Sequence, residues 1–145
     1  MIVLDTNVLS EALKPLPSRI VLRWLAAQQS LSVFTTTITE AEVLYGVEML
    51  PAGNRRMRLL AAVENMFAEE FTGRILPFDE DAARAFSGIV AARDRAGRPI
   101  SQFDAMIAAI ARSHRAAVAT RNTADFQHCG IDVINPWTER TELVP

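Results

Sequence analysis

The sequence predicts an α/β fold, a three-layer α/β/α arrangement around a central, mainly parallel five-stranded sheet. Short apolar or β-branched runs recur along the chain, longer helical patterns separate them, and acids stand repeatedly where a strand or loop gives way to a helix. Alternation of this kind gives parallel strands joined by right-handed crossovers, with helices on both faces.

The strand candidates are Ile2 to Asp5, Leu31 to Thr36, Arg74 to Phe78, Ala116 to Thr120 and Asp132 to Ile134. A first helix starts at Thr6 or Asn7 and ends before Pro15, where Pro15 and Pro17 form a turn. Ser18 caps the next helix, whose apolar faces come from Ile20, Leu22, Trp24 and Leu25. From Thr39 the spacing of Val43, Leu44, Val47 and Leu50 is helical and stops at Pro51; a longer pattern runs from Met57 to Phe71, so the two form a helical hairpin. Asp79 caps a helix carrying Ala82, Ala85, Phe86, Ile89 and Val90, broken at Gly97-Arg98-Pro99. A last helix spans Ser101 to about His114.

At 145 residues the chain is the size of one domain, residues 1–145, able to bury a core without disulfides or a structural metal. Half of it is apolar and 22% is charged, as in a soluble globular protein. A net charge of −2 gives no footprint of a strongly basic nucleic-acid binder, so any such argument rests on local charge. Cys129 stands alone, which excludes a disulfide framework and a thiolate zinc set. No apolar run is long enough to span a bilayer, and Asp5 interrupts the first one. The cytoplasm is the expected compartment.

Asp5, Glu42, Asp104 and Asp125 are remote in sequence, yet each falls near the carboxyl end of a strand or the start of a helix. In an open α/β sheet such positions converge. Thr39 to Glu42 and Ser101 to Asp104 also fit the helix-capping pattern, and Asp5 fits an N-cap, so capping explains any one acid taken singly. Should the acids meet, two carboxylates about 4 Å apart repel by roughly 4 kcal/mol at an effective dielectric near 20, which a divalent cation relieves. An all-oxygen set without thiolate or nearby imidazole selects Mg²⁺ or Mn²⁺ over zinc. Such a site suits phosphodiester hydrolysis by an activated water. Neither His114 nor His128 belongs to a recognisable catalytic arrangement.

The order and spacing of Val3-Leu4-Asp5-Thr6-Asn7-Val8-Leu9, Ile38 to Glu42 with Tyr45-Gly46, Ile100 to Ala109, and Ala119 to Phe126 resemble the PIN domain over essentially the whole chain. Leu76 to Asp79 and Ile134 to Trp137 are similar to patterns of the FitB-like group of VapC-type toxins. The resemblance implies a Mg²⁺- or Mn²⁺-dependent ribonuclease in which Asp5, Glu42 and Asp104 match the central acids and Asp125 a fourth, more variable one. Thr6, Asn7, Thr120 and Asn122 match polar positions that would orient water or carboxylates. Gln102-Phe103 departs from similar chains, which often carry smaller or more polar residues there. A homodimer and a small antitoxin protein covering the site are also implied.

Arg98 and Arg121 flank the proposed site and could steer RNA phosphate, whereas Arg55, Arg56 and Arg58 at the hairpin tip read as a solvated face. Two other functions remain open. A phosphatase could use Asp5 as a nucleophile, although Asn7 stands where such enzymes place a second Asp and Lys14 is the only lysine. A non-catalytic interaction module would use its acids merely as caps and present the hairpin to a partner helix.

Overall fold

Two helical layers are dictated by the alternation of side chains along the strands. In β1 (Ile2–Leu4) Val3 enters one buried cluster and Leu4 the other, and β4 (Ala117–Ala119) repeats this with Val118 and Ala119. A strand turns successive side chains to opposite faces, so both faces of the sheet are apolar and both need covering. The computed structural model describes residues 1–138 and 140–142; residues 143–145, the end of the span read as one domain, lie outside the described residues.

The sheet order is β3-β2-β1-β4-β5-β6, with β2 at Val33–Thr36, β3 at Ile75–Leu76, β5 at Val133–Asn135 and β6 at Arg140–Glu142. Strands β1 to β5 are parallel, as the sequence predicts, and the sixth, lying beyond the predicted five, joins β5 antiparallel at the edge. The chain builds outward from β1 through β2 to β3, then crosses back to place β4 on the other side of β1. That reversal leaves a crevice beyond the carboxyl ends of β1 and β4, where open α/β sheets bind ligands.

One face is covered by α5 (Glu80–Arg95) and α6 (Gln102–Ser113), the other by α1 (Thr6–Ala12), α2 (Arg19–Ala27), α3 (Thr37–Glu48) and α4 (Asn54–Asn65). The residues from Ala105 and from Ile107 to Ala111 in α6 are wholly buried. The alanines among them let this helix lie close to both the sheet and α5 while Ile107 and Ile110 fill the core, which fixes the position of its first turn. No helix among the described residues is long and apolar enough to cross a membrane.

Several local expectations shift. Strand β2 starts at Val33 because Ser30–Ser32 form a 3-10 turn, with the Ser32 hydroxyl donating to the Gln29 carbonyl at 2.8 Å, and Leu31 is left exposed. Helix α2 buries Val21 and Trp24 while Ile20 and Leu22 face outward, a rotation of the expected face. The α3–α4 hairpin forms as predicted, tied by Arg56 to Glu48 at 2.8 Å, and its second helix continues into a π turn at Met66–Glu70. Helix α5 ends as expected, with Gly97 at φ 69°, in the left-handed region that glycine enters at no steric cost.

Arg93, on the inner face of α5 and 4% exposed, ties the two segments that frame the crevice. Its Nε donates to the Arg98 carbonyl at 2.5 Å, and its Nη1 donates to the carbonyls of Asp125 and Gln127, each at 2.8 Å. A buried guanidinium is tolerable only when its donors find acceptors, and here backbone carbonyls take Nε and Nη1. Replacing Arg93 with Met should therefore leave those carbonyls unpaired, lowering the urea-unfolding free energy by about 2–4 kcal/mol and raising amide exchange at 123–127. Arg93→Lys should recover only part of the loss, because a single ammonium lacks the forked reach.

Candidate metal centre

Asp5 follows β1 directly, and its own N–H donates to the Ala119 carbonyl at 2.9 Å, so the sheet register fixes its backbone. The side chain is 4% exposed. Its Oδ1 accepts from the Thr6 N–H at 2.8 Å, making Asp5 the N-cap of α1. Its Oδ2 accepts from the Thr120 hydroxyl at 2.8 Å and from Asn7 Nδ2 at 3.1 Å. Capping and site-building are thus one role here.

Thr120 and Asn7 complete a closed network. The Thr120 oxygen accepts from Asn7 Nδ2 and from the Asn122 N–H, both at 3.1 Å, while Asn7 Oδ1 accepts from the Arg121 N–H at 3.2 Å. Of the predicted polar residues, Thr6, Asn7 and Thr120 bring their side chains to the crevice, while exposed Asn122 joins through its backbone N–H.

Glu42 reaches the same place by a different route from the one expected. Helix α3 begins at Thr37 because the Thr36 hydroxyl oxygen accepts from the Thr39 N–H at 3.0 Å, so Glu42 sits in the second turn and the cap is Thr36, not Thr39. The Thr6 hydroxyl donates to Glu42 Oε1 at 2.8 Å and lies 3.3 Å from the buried Thr39 hydroxyl. Asp104 is placed as predicted, its N–H donating to the Ser101 oxygen at 3.2 Å in the first turn of α6.

The acids sense one another. Burial pushes the Asp5 carboxyl up to about 6, against the hydrogen bonds from Thr120 and Thr6, and the charges of Asp104 and Glu42 push the same way. Burial raises Glu42 as well, opposed by the Thr6 hydrogen bond and reinforced by Asp104. Asp104 is raised by burial and by Asp125, opposed by the Ser101 hydrogen bond and the Arg93 charge. Asp104 is thus the hub. Asp125, exposed on the 3-10 turn Thr123–Phe126, couples to Asp104 and stands at the rim.

Among the described residues no three carboxylate, imidazole or thiolate side chains form a preformed metal cage. Mg²⁺ does not need one, since it takes one or two carboxylates directly and keeps several waters. An all-oxygen donor set whose members raise one another's proton affinity fits such a hard cation.

Other candidates lie further out. Arg98 Nη1 donates to Gln127 Oε1 at 3.3 Å, and the Arg121 guanidinium stands 5.2 Å over the Trp137 ring. Both histidines are exposed. Lys14 is held by Glu11 at 2.7 Å, away from the role a phosphatase lysine would need. Arg93 and Thr39 were not legible as site residues; the signal for Arg93 is a charge four residues after Ile89 on the apolar stripe of α5.

With this geometry the comparison with known proteins is decisive: the PIN domain family model matches residues 2–130. The chain belongs to the PIN domain family. It is 43% identical to VapC ribonuclease Y4jK of Sinorhizobium fredii over 94% of this chain and 98% of the relative. It is 40% identical to toxin FitB of Neisseria gonorrhoeae over 94% of this chain and 99% of that one. The structure of FitAB bound to the IR36 DNA fragment superposes with a TM-score of 0.90 at 40% identity, over 94% of this PIN chain and 96% of the other. These relatives place it among the VapC-type, FitB-like PIN domains.

The Asp5 shift has a pH signature. Its folded value of about 6 exceeds the ordinary 3.8, so the folded chain holds the proton more tightly. The stability cost of ionising Asp5 is absent below about pH 4, grows as the pH rises through about 6, and is complete above it. In EDTA, Asp5→Asn should therefore unfold at higher urea than the wild type at pH 7.5, by roughly 2 kcal/mol, with the difference shrinking toward zero at pH 4. A pH-independent difference would refute the account.

Proposed function

We propose that this protein is a Mg²⁺- or Mn²⁺-dependent endoribonuclease, the toxin of a toxin–antitoxin pair, acting in the cytoplasm as one PIN domain over residues 1–145. The observation that carries the reading is that Thr6 hydrogen-bonds both Asp5 and Glu42, while the charge of Asp104 raises the proton affinity of both. The descriptions of its relatives as a VapC ribonuclease and a toxin support the same reading, and FitAB on DNA supports an antitoxin partner.

Asp5 and Asp104 would be the direct ligands, Glu42 and Asp125 the acids that hold water around the ion. A bound divalent ion supplies charge neutralisation and an acidified water at neutral pH. The chain's own residues do the positioning. Thr120 and Asn7 donate to Oδ2 of Asp5 and set its carboxylate plane. Thr6 fixes Glu42 through a 2.8 Å hydrogen bond to Oε1, so that its second oxygen would accept from water. Asn122 and Thr120 brace the rim on which Asp125 sits, and Arg98 and Arg121 would steer RNA phosphate from further out. A homodimer is the expected assembly, the antitoxin covering the crevice.

Purified protein should cut single-stranded RNA in Mg²⁺ or Mn²⁺ and stop in excess EDTA. Asp5→Asn and Asp104→Asn should each keep the circular dichroism of the wild type while losing at least ~100-fold in turnover. Undiminished cleavage by both variants would defeat the assignment.

A further inference from the structure

The strand register sets an arginine beside a tryptophan near the rim of the crevice. Strands β4 and β5 run parallel with Ala119 opposite Ile134, and the Thr120 N–H donates to the Ile134 carbonyl at 2.9 Å, so the segments that leave the two strands emerge side by side. Arg121 follows Thr120 directly. After β5 the chain turns at Asn135, whose Oδ1 accepts from the Trp137 N–H at 3.0 Å and whose carbonyl accepts from the Thr138 N–H at 3.2 Å. This turn brings the Trp137 ring against the Arg121 guanidinium, 5.2 Å from ring centre to Cζ. The ring is itself seated, half-buried against the cluster that contains Leu4 and Ala119.

Stacking uses the face of a guanidinium and leaves its edge, where all five N–H groups point, open to acceptors. Among the described residues none of those N–H groups donates a hydrogen bond or reaches a carboxylate within ion-pair distance. A carboxylate acts on the charge nonetheless. Glu11, buried on α1, pairs with Lys14 at 2.7 Å, and its carboxyl is held below the usual carboxylate range chiefly by the Lys14 hydrogen bond, with the charge of Arg121 adding to it. Glu11 thus attracts the guanidinium without taking up its donors. The backbone of Arg121 is fixed as well: its N–H donates to Asn7 Oδ1 at 3.2 Å, and Asn7 Nδ2 donates to Asp5 Oδ2 at 3.1 Å. Arg98 has neither support, since it donates to Gln127 and no ring lies against it among the described residues.

We propose that Trp137 and Glu11 are positioning residues that hold the Arg121 guanidinium with its edge outward, where it grips a phosphate of the RNA strand beyond the one that is cut. This rests on the nuclease reading and deepens it. An arginine arm that is free in solution loses rotamer freedom when it binds, whereas one already held by a ring and a charge has lost it beforehand, so affinity rises without a further contact to RNA. A grip on a phosphate away from the broken bond is the same in ground and transition states, and it acts on KM rather than on kcat.

The test is cleavage of a fluorophore–quencher single-stranded RNA of mixed sequence in Mg²⁺, read as kcat and KM across a salt series. Arg121→Ala should raise KM about 10-fold, keep kcat within about twofold, and lower the slope of log KM against log salt by about one. Trp137→Leu, which keeps apolar bulk but removes the π face, should raise KM about 3- to 10-fold, and Trp137→Phe should restore most of the loss. Glu11→Gln should also raise KM about 3-fold, although removing a negative charge would by itself favour RNA. The deciding measurement is the cycle: in an Arg121→Ala protein neither Trp137→Leu nor Glu11→Gln should raise KM further. A penalty that persists without Arg121 overturns the positioning role, because the ring or the acid then acts through the fold or on RNA directly. An Arg121→Ala protein with the KM of the wild type, or variants that lose kcat at unchanged KM, overturn it too. These outcomes leave the nuclease reading standing so long as the wild type cuts the RNA and EDTA stops it. Should Trp137→Leu fail to fold, the Glu11→Gln arm of the cycle decides alone. A wild type that leaves this RNA intact in Mg²⁺ and in Mn²⁺ removes both readings.

Discussion

The carboxylate of Asp5 is buried with neutral donors only, and the rest of the site is arranged around that charge. The groups that hydrogen-bond it are the Thr6 N–H, the Thr120 hydroxyl and the Asn7 amide, none of which carries a compensating charge. Burial therefore leaves it reluctant to ionise, and Glu42 and Asp104 add to the reluctance. The sheet makes the placement unavoidable: β1 is three residues long and lies between β2 and β4, so the residue after it must emerge where the strand order reverses. Thr120 emerges beside it from β4 for the same reason, which is why a residue 115 positions away in sequence is within hydrogen-bond reach.

Of the remaining acids, Asp104 and Asp125 arrive on helix starts and Glu42 one turn in, and packing rather than the sheet fixes them. Asp104 is as well placed as α6 is, and α6 is held by a row of wholly buried alanines and isoleucines against the sheet and α5. Asp125 depends on a 3-10 turn with no side-chain cap, secured from beneath by Phe126 and by the Arg93 guanidinium. Arg93 thus acts twice, holding the turn through backbone carbonyls and opposing by its charge the rise in Asp104's proton affinity. The gradient from a rigid Asp5 to an exposed Asp125 follows from how each acid is attached.

Most of this was legible in the sequence because it rests on local rules. Alternating strand and helix patterns gave the five parallel strands, and Ser101, Ser18 and Asp79 cap the helices they were expected to cap. What escaped depends on tertiary choices among equivalent local options. Thr35, Thr36, Thr37 and Thr39 cluster around the start of α3; Thr36 caps it, since β2 ends there, and Glu42 consequently sits one turn deeper than its spacing from Thr39 suggested. The outward face of α2 could not be told from the inward one while both carried leucine or isoleucine. Arg93 looked like one more surface arginine on a helix with several, and only the distant carbonyls of Asp125 and Gln127 give it a role. The sixth strand is too short and too polar to read as one.

Capping and site-building are compatible for the acids: Asp5 caps α1 through Oδ1 while its Oδ2 joins the Thr120 and Asn7 network. The amino ends of α3 and α6 both face the crevice, carrying the partial positive charge that favours anions. The same field that stabilises Asp104 in a first helical turn would draw in a phosphodiester once the carboxylates no longer repel it. With the acids ionised and uncompensated, their repulsion opposes both folding and phosphate entry. On the proposed function, neutralising that charge is a condition of substrate binding as much as of hydrolysis, so a single feature, the clustering of half-buried acids under helix amino ends, makes the ion and the RNA bind together.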